Sequence, residues 1–198
     1  MDIKNIFLFR IFLFPFIFSI LIATDIFAQE AVDTFSIKKK LDFILERDQK
    51  TRTLGDSAEF RTFIDSCNLV EVTKLIDKYG WPGKHFVGGS GNRAVFLVIQ
   101  HADLATQEKY FSLLQKSVEE EESSPSHLAL LTDRILMRQG KKQKYGSQVV
   151  FNKETGLQEF YQIEDEANVD IRREQTGLEP IKKYAKYFGI EYDYKEEK

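Results

Sequence analysis

The sequence predicts a mainly α, compact helical domain of about six or seven helices, with one β-hairpin in its C-terminal half. Three observations carry this expectation. Between residues 34 and 140, apolar residues recur at three- and four-residue spacing, and each stretch is bracketed by capping and stop residues. At the centre, Ala94–Asp103 reads Ala-Val-Phe-Leu-Val-Ile-Gln-His-Ala-Asp, an unbroken apolar run that ends in three polar side chains. After Gly140 the pattern changes to short runs rich in Val, Phe, Tyr and Ile around a turn-forming segment.

Taken in order, the first 28 residues read as a signal peptide. Lys4 and Arg10 form a basic n-region, Ile11–Ala23 is almost wholly apolar, and Ile26-Phe27-Ala28 ends in a small residue suited to cleavage. Asp25 and Gln29-Glu30 shorten the run relative to the about 20 apolar residues of a membrane span. The chain is therefore expected to be exported, periplasmic or secreted, with residues 29–198 forming one domain and no membrane contact after cleavage. Lys4 and Arg10 cancel Asp2 and Asp25, so the mature chain keeps the formal charge of −3. That acidity argues against nucleic acid as a partner. Cys67 is the single cysteine, which excludes an intrachain disulfide, and its helical spacing predicts a buried position.

Thr34–Arg52 has helical spacing through Phe35, Leu41, Ile44 and Leu45, with Asp48 and Arg52 at i, i+4 on what reads as a solvated helix end. Asp56-Ser57-Ala58-Glu59 suits a capping box, and Phe60, Phe63, Ile64 and Cys67 then share one face. Asn68 is expected to cap a further helix carrying Val72, Leu75, Ile76 and Tyr79, which Gly80 and Pro82 end. Trp81–Asn92 reads as a glycine-rich loop. Gly89–Ala94 fits G-x-G-x-x-A, but a dinucleotide fingerprint needs a preceding strand and a βαβ unit, which the surrounding sequence lacks. Ala94–Gln100 is expected to be a central buried helix, with Asp103 capping the next one. Leu104–Glu119 is amphipathic through Phe111, Leu114 and Val118. Ser124-Pro125 starts a helix carrying Leu128, Leu131 and Ile135, ended by Gly140. Gln148–Phe151 and Leu157–Ile163 flank the turn Asn152–Gly156. Asn168 is expected to cap a short helix, Pro180 opens the last one, and Tyr192–Lys198 is expected to fray.

His101 is the leading candidate for acid–base chemistry, with Asp133 or Asp48 orienting it. A zinc site needs three or four ligands. His101 and Asp103 supply two, so no metal and no cofactor is expected. Asp133 is followed at i+3 and i+4 by Leu136 and Met137, and Arg172 has no acidic residue at those spacings, whereas Arg173 has Asp170 at i−3. Asp133 and Arg172 therefore either face solvent as ordinary charges or pair with each other across the fold. Gln143, Tyr145, Gly146, Ser147 and Gln148 crowd six positions, which suits both a ligand-contact loop and an ordinary turn. There is no G-x-S-x-G elbow for a serine nucleophile.

These groups recur as a set. Arg47-Asp48-Gln49-x-x-Arg52, Asp65-x-x-Asn68, Gly80-Trp81-Pro82, Gln100-His101-Ala102-Asp103, Asp133-Arg134, Gln143-x-Tyr145-Gly146-Ser147-Gln148 and Asp170-x-Arg172-Arg173-x-x-x-Gly177-Leu178-x-Pro180 follow in that order. Together they resemble the motif set of a bacterial domain family of unknown function whose members are commonly exported. The resemblance runs over roughly Leu41–Tyr187, with Ser147 standing where the family more often has threonine. It implies a shared fold and shared polar positions, and no activity.

Two functional readings follow. In the first, a non-catalytic binding domain presents Gln100, His101, Asp133, Gln143, Tyr145 and Arg172, with Arg134 and Gln148 beside them, to a small polar or anionic ligand or a partner segment. In the second, a metal-independent hydrolase or transferase uses His101 as general base. The observation that separates them is whether Asp48, His101, Asp133, Tyr145 and Arg172 converge in one cleft.

Overall fold

The computed structural model describes residues 34–193. The expected signal peptide, and the end of the expected frayed tail, lie outside the described residues. Helix α1 covers residues 34–53. Then come α2 (Ala58–Tyr79), α3 (Lys84–His101), α4 (Leu104–Glu119) and α5 (Pro125–Arg138). The strands β1 (Val149–Phe151) and β2 (Gln158–Phe160) follow, then α6 (Val169–Gln175) and α7 (Ile181–Ala185). The fold is thus mainly α, with seven α-helices and one antiparallel hairpin among the described residues.

The centre is α3, which packs against α2, α4 and α5. Val95 and Ile99 are wholly buried there, in one core with Leu41 and Ile44 of α1, Val72 and Ile76 of α2, Leu114 of α4 and Leu131 of α5. An apolar helix without a polar face has to be surrounded, because every side it shows to water carries a hydrophobic cost. No helix among the described residues is long and apolar enough to cross a membrane.

Three local expectations need correction. Residues 58–79 form one continuous helix, and Asn68 lies inside it, fully buried. Its inward stripe is Ile64, Asn68, Val72 and Ile76, while Phe60 and Phe63 are exposed and Cys67 is only partly buried. The stripe can include a polar residue because Arg47 Nε donates to Asn68 Oδ1 at 2.9 Å. The glycine-rich stretch is likewise helical from Lys84 onward, broken only by a kink at Gly88, whose φ of +77° lies in the left-handed region. Gly91 is a close-approach position, since a Cβ there would sit 2.9 Å from Val87 Cβ. With no strand before it, the G-x-G-x-x-A spacing is helix interior. Asn168 does not cap α6 with its side chain; it donates instead to Asp165 at 3.0 and 3.1 Å.

Elsewhere the punctuation holds. Ser57 Oγ accepts from Phe60 N, Asp103 Oδ1 accepts from Thr106 N at 2.8 Å, and Pro125 opens α5. In the hairpin Val149, Val150 and Phe151 pair with Phe160, Glu159 and Gln158, and Asn152 Oδ1 accepts from Glu154 N in the turn.

Candidate functional site

The polar residues form two separate networks. The first lies where α1, α2 and the end of α3 meet. On α1 the inward positions are Leu41, Ile44, Asp48 and Thr51, so Asp48 extends an apolar stripe rather than ending in solvent. It is 1% exposed, which corrects the expectation of a solvated helix end. Helical spacing puts Arg52 one turn on, with Nη2 3.1 Å from Asp48 Oδ1. The same Nη2 is 2.7 Å from Asp65 Oδ1 of α2 and 2.6 Å from His101 Nδ1. His101 Nδ1 is also 3.1 Å from Asp48 Oδ1, and Gln49 Nε2 donates to Asp48 Oδ2 at 2.8 Å. Burial alone would raise the Asp48 carboxyl, but hydrogen bonds from His101 and Arg52 and their charges outweigh it, and Asp48 is pulled down to about 2.

The ring of His101 lines a cleft of about 350 Å³ with Thr62, Asp65, Ser66, Asn68 and Ala102. Nδ1 is engaged inside the cluster, which leaves Nε2 as the free nitrogen. Nε2 is a lone pair when Nδ1–H donates to Asp48, and a donor when Nδ1 accepts from Arg52. Asp48, Asp65 and His101 also bring three ligand atoms within 4.8 Å of one another, a set that suits a divalent cation. The two carboxylates come from helices that the chain sequence separates from His101, and for that reason no such set was expected. The cation at its centre here is the Arg52 guanidinium. Asp103, the carboxylate next to His101 in sequence, caps α4 instead.

The second network is built around the segment 143–148. Asp133 of α5 is fully buried and accepts from Lys144 N at 2.7 Å, from Tyr145 N at 3.0 Å, and from Ser147 N and Oγ at 2.9 Å. Burial pushes the Asp133 carboxyl up, and these donors pull against it. Gln143 Oε1 accepts from Gln148 N at 2.8 Å, its Nε2 donates to the carbonyls of Gln148 and Tyr161, and Gln148 Nε2 donates to Ser147 Oγ. Arg173, 1% exposed, donates to the carbonyls of Tyr145 and Glu179 at 2.6 Å rather than pairing with Asp170, whose Oδ1 accepts from Ile181 N. Arg172 meets Asp165 at 3.1 Å and donates to the carbonyls of Lys144, Glu164 and Asp165. The Asp133–Arg172 pair, one of the two arrangements the sequence left open, is not formed, and Asp133 is no surface charge either: each finds partners in the loops that frame it. Tyr145 is half-buried, and its phenol is raised first by burial and then by the Asp133 charge.

The segregation decides a chemical question. Asp48, and not Asp133, stands within hydrogen-bond reach of His101. Asp133 and Gln143 have their side-chain polar atoms, and Gln148 its Nε2, engaged in holding a loop. Gln100 turns its amide toward Leu130 O, and its Oε1 is buried without a partner; Arg134 of α5 also keeps a buried Nε without one. Arg52 and Asp65 were missed as members of the site. Arg52 and Asp48 share a helical face in the sequence, which is a signal; nothing local links either to Asp65.

A family model described as a family of unknown function, DUF6624, matches residues 53–197. The chain belongs to the DUF6624 family. The matched stretch contains Asp65, His101, Asp133, the 143–148 segment and Arg172, while Asp48 and Arg52 lie just before it in this DUF6624 chain. No curated protein and no solved structure matches it.

Proposed function

We propose that this DUF6624 chain is an acid–base catalyst, a metal-independent hydrolase or transferase, with His101 as general base and Asp48 as its positioning residue. The observation behind it is the 3.1 Å contact between His101 Nδ1 and Asp48 Oδ1, made by a buried carboxylate to a ring that opens on a cleft. For the ionised Asp48 to hold Nδ1–H and leave the Nε2 lone pair for a proton in the cleft, Arg52 Nη2, a donor 2.6 Å from the same nitrogen, has to turn fully to Asp48 and Asp65. Nε2 takes that proton from a water or a substrate hydroxyl as its oxygen attacks an electrophilic centre. Asp48 stabilises the imidazolium, and the proton passes to the departing group. Arg52 ties Asp48 and Asp65 together and so sets the spacing of the cluster.

Nitrogen-15 NMR of the histidine rings tests the first half of this reading. Nδ1 protonated and Nε2 bare is the expected tautomer, and Asp48→Asn abolishes that preference. The reverse tautomer in the wild-type protein ends the proposal. Hydrolysis of p-nitrophenyl acetate and p-nitrophenyl phosphate tests the second half, with a loss of roughly 100-fold or more expected on His101→Asn. A second reading, a non-catalytic binding domain, is favoured by the polar lining of the same cleft at Thr62, Asp65, Ser66 and Asn68. Export is part of the proposal, on the strength of the N-terminal sequence; N-terminal sequencing of the protein from its native host should find a chain that begins near Gln29.

A further inference from the structure

Helix α1 carries two stripes. Leu41, Ile44, Asp48 and Thr51 turn inward. Phe43, Glu46 and Lys50, continued by Leu54 in the turn that follows, form a second stripe on the outside. Phe43 is 57% and Leu54 65% exposed, and Phe60 of α2, 47% exposed, closes the other side of a groove of about 400 Å³ that Glu46, Lys50 and Ile64 also line. Phe63, one turn along α2, is 61% exposed. These four side chains leave roughly 400 Å² of apolar surface in water, near the apolar share of a standard interface of about 800 Å² per partner. Glu46 and Lys50 make no side-chain hydrogen bond or ion pair among the described residues. Arg47, between them, is turned to Asn68 and Glu71. The outer stripe therefore reads apolar, acidic, basic, apolar in one direction and apolar, basic, acidic, apolar in the other. A second α1 laid antiparallel on it sets Phe43 against the partner's Leu54 and Glu46 against the partner's Lys50, and both contacts recur by symmetry. A lipid surface would meet the apolar ends but leave Glu46 unanswered at the centre.

We infer that this face pairs two copies of the chain across a two-fold axis, with α1 antiparallel to the α1 of the partner copy. The pairing is independent of the assignment of His101 as a base. Thr62, Asp65 and Ser66 line the His101 cleft from the side of α2 opposite to Phe60 and Ile64, so the cleft stays open in the dimer. Burial of the exposed aromatic and leucine side chains supplies the driving force, and the two Glu46–Lys50 pairs at its centre fix the orientation.

Sedimentation velocity of the purified protein between roughly 1 and 100 µM tests this. A reversible dimer with a Kd of roughly 10 µM or lower is expected. Leu54→Ser and Phe60→Ser are each expected to weaken it at least tenfold while Tm moves by no more than about 3 °C, since both residues are largely exposed in the single chain. Phe151→Ser, an exposed position on the hairpin, is expected to dimerise like the wild type. Glu46→Lys and Lys50→Glu are each expected to be monomeric at roughly 10 µM, because each sets like charges opposite one another. An equimolar mixture of those two variants is expected to form a heterodimer, because it restores both opposite-charge pairs. A wild-type protein that is monomeric at roughly 100 µM overturns the inference, and if it then binds phosphatidylglycerol vesicles the face belongs to lipid. The inference also fails if a dimer survives Leu54→Ser and Phe60→Ser together, if either charge variant dimerises like the wild type, or if their mixture stays monomeric.

Discussion

Asp133 offers the sharpest test of the division between the His101 cluster and a structural one. Its carboxylate accepts from three backbone N–H groups and one hydroxyl, at 2.7 to 3.0 Å. Asp133→Ala strands all four donors at a site where Asp133 is fully buried and Ser147 nearly so. A buried donor left without an acceptor costs about 1–3 kcal/mol. The loop relaxes and water enters on its Lys144 side, so a loss of about 3–5 kcal/mol is expected rather than the full sum. Asp133→Asn is the finer probe. Its Oδ1 keeps the Lys144 and Tyr145 N–H groups, but its Nδ2 then faces Ser147 N, donor against donor, and the loss is about 2 kcal/mol. Urea denaturation of wild type, Asp133→Asn and Asp133→Ala gives these values as displaced midpoints at constant slope. His101 resonances are expected to hold their wild-type tautomer and position in Asp133→Asn. A loss below about 1 kcal/mol for Asp133→Ala, or a change at His101 in Asp133→Asn, would refute the assignment of Asp133 to loop anchoring.

Three further outcomes follow from the same structure. His127 stacks on Phe96 with ring centroids 4.1 Å apart, and burial, aided by the charge of Arg93, lowers its pKa from 6.5 to about 4. The unfolded chain then binds the proton more readily, so stability falls as pH drops from about 6.5 toward 4, by up to about 3 kcal/mol; His127→Phe is expected to flatten that part of a Tm-against-pH curve, and an unchanged curve would count against it. Asp48, drawn down from 3.8 to about 2, contributes stability that is complete above its unfolded value and is lost as pH falls through the folded one. Asp48→Asn is expected to cost about 2 kcal/mol at pH 7 and to remove that share of the acid dependence between about pH 4 and 2, measured by urea titration at each pH. Gly146 has φ +64°, and an added Cβ would lie 2.5 Å from Ile181 Cδ1. Gly146→Ala is expected to destabilise by about 2–4 kcal/mol in urea, from backbone strain and displacement of Ile181 together, whereas Gly156→Ala, with φ +71° and open space, should show the smaller strain cost alone.

Much of the architecture was legible residue by residue. The Leu41/Ile44 and Val72/Ile76 stripes, the Ser57, Asp103 and Pro125 starts, the Gly80 and Gly140 stops and the Asn152 turn are local signals, and local energetics satisfied them; Phe35, Phe60 and Phe63, read into the same stripes, are exposed. Errors arose where a partner distant in sequence changed what a residue could do. Asn68 reads as a cap because an asparagine inside a helix is a poor choice in isolation. It lies in the core because Arg47, 21 residues earlier, answers its oxygen. The stretch 84–92 reads as loop because glycine lowers helix propensity. It is helix in the folded domain, and glycine stands at 91 because the close approach of Val87 and Leu41 leaves no room for a side chain.

The site divides along the same line. The amino-acid sequence alone settled that the domain is helical and that a buried helix carries His101 at its end, because hydrophobic period and capping depend on neighbours three or four residues away. Only the tertiary structure decided which carboxylate stands beside the imidazole and that Asp133 holds a loop. Those outcomes depend on distances between helices, and charges that meet through space leave no spacing in the chain from which the meeting can be read.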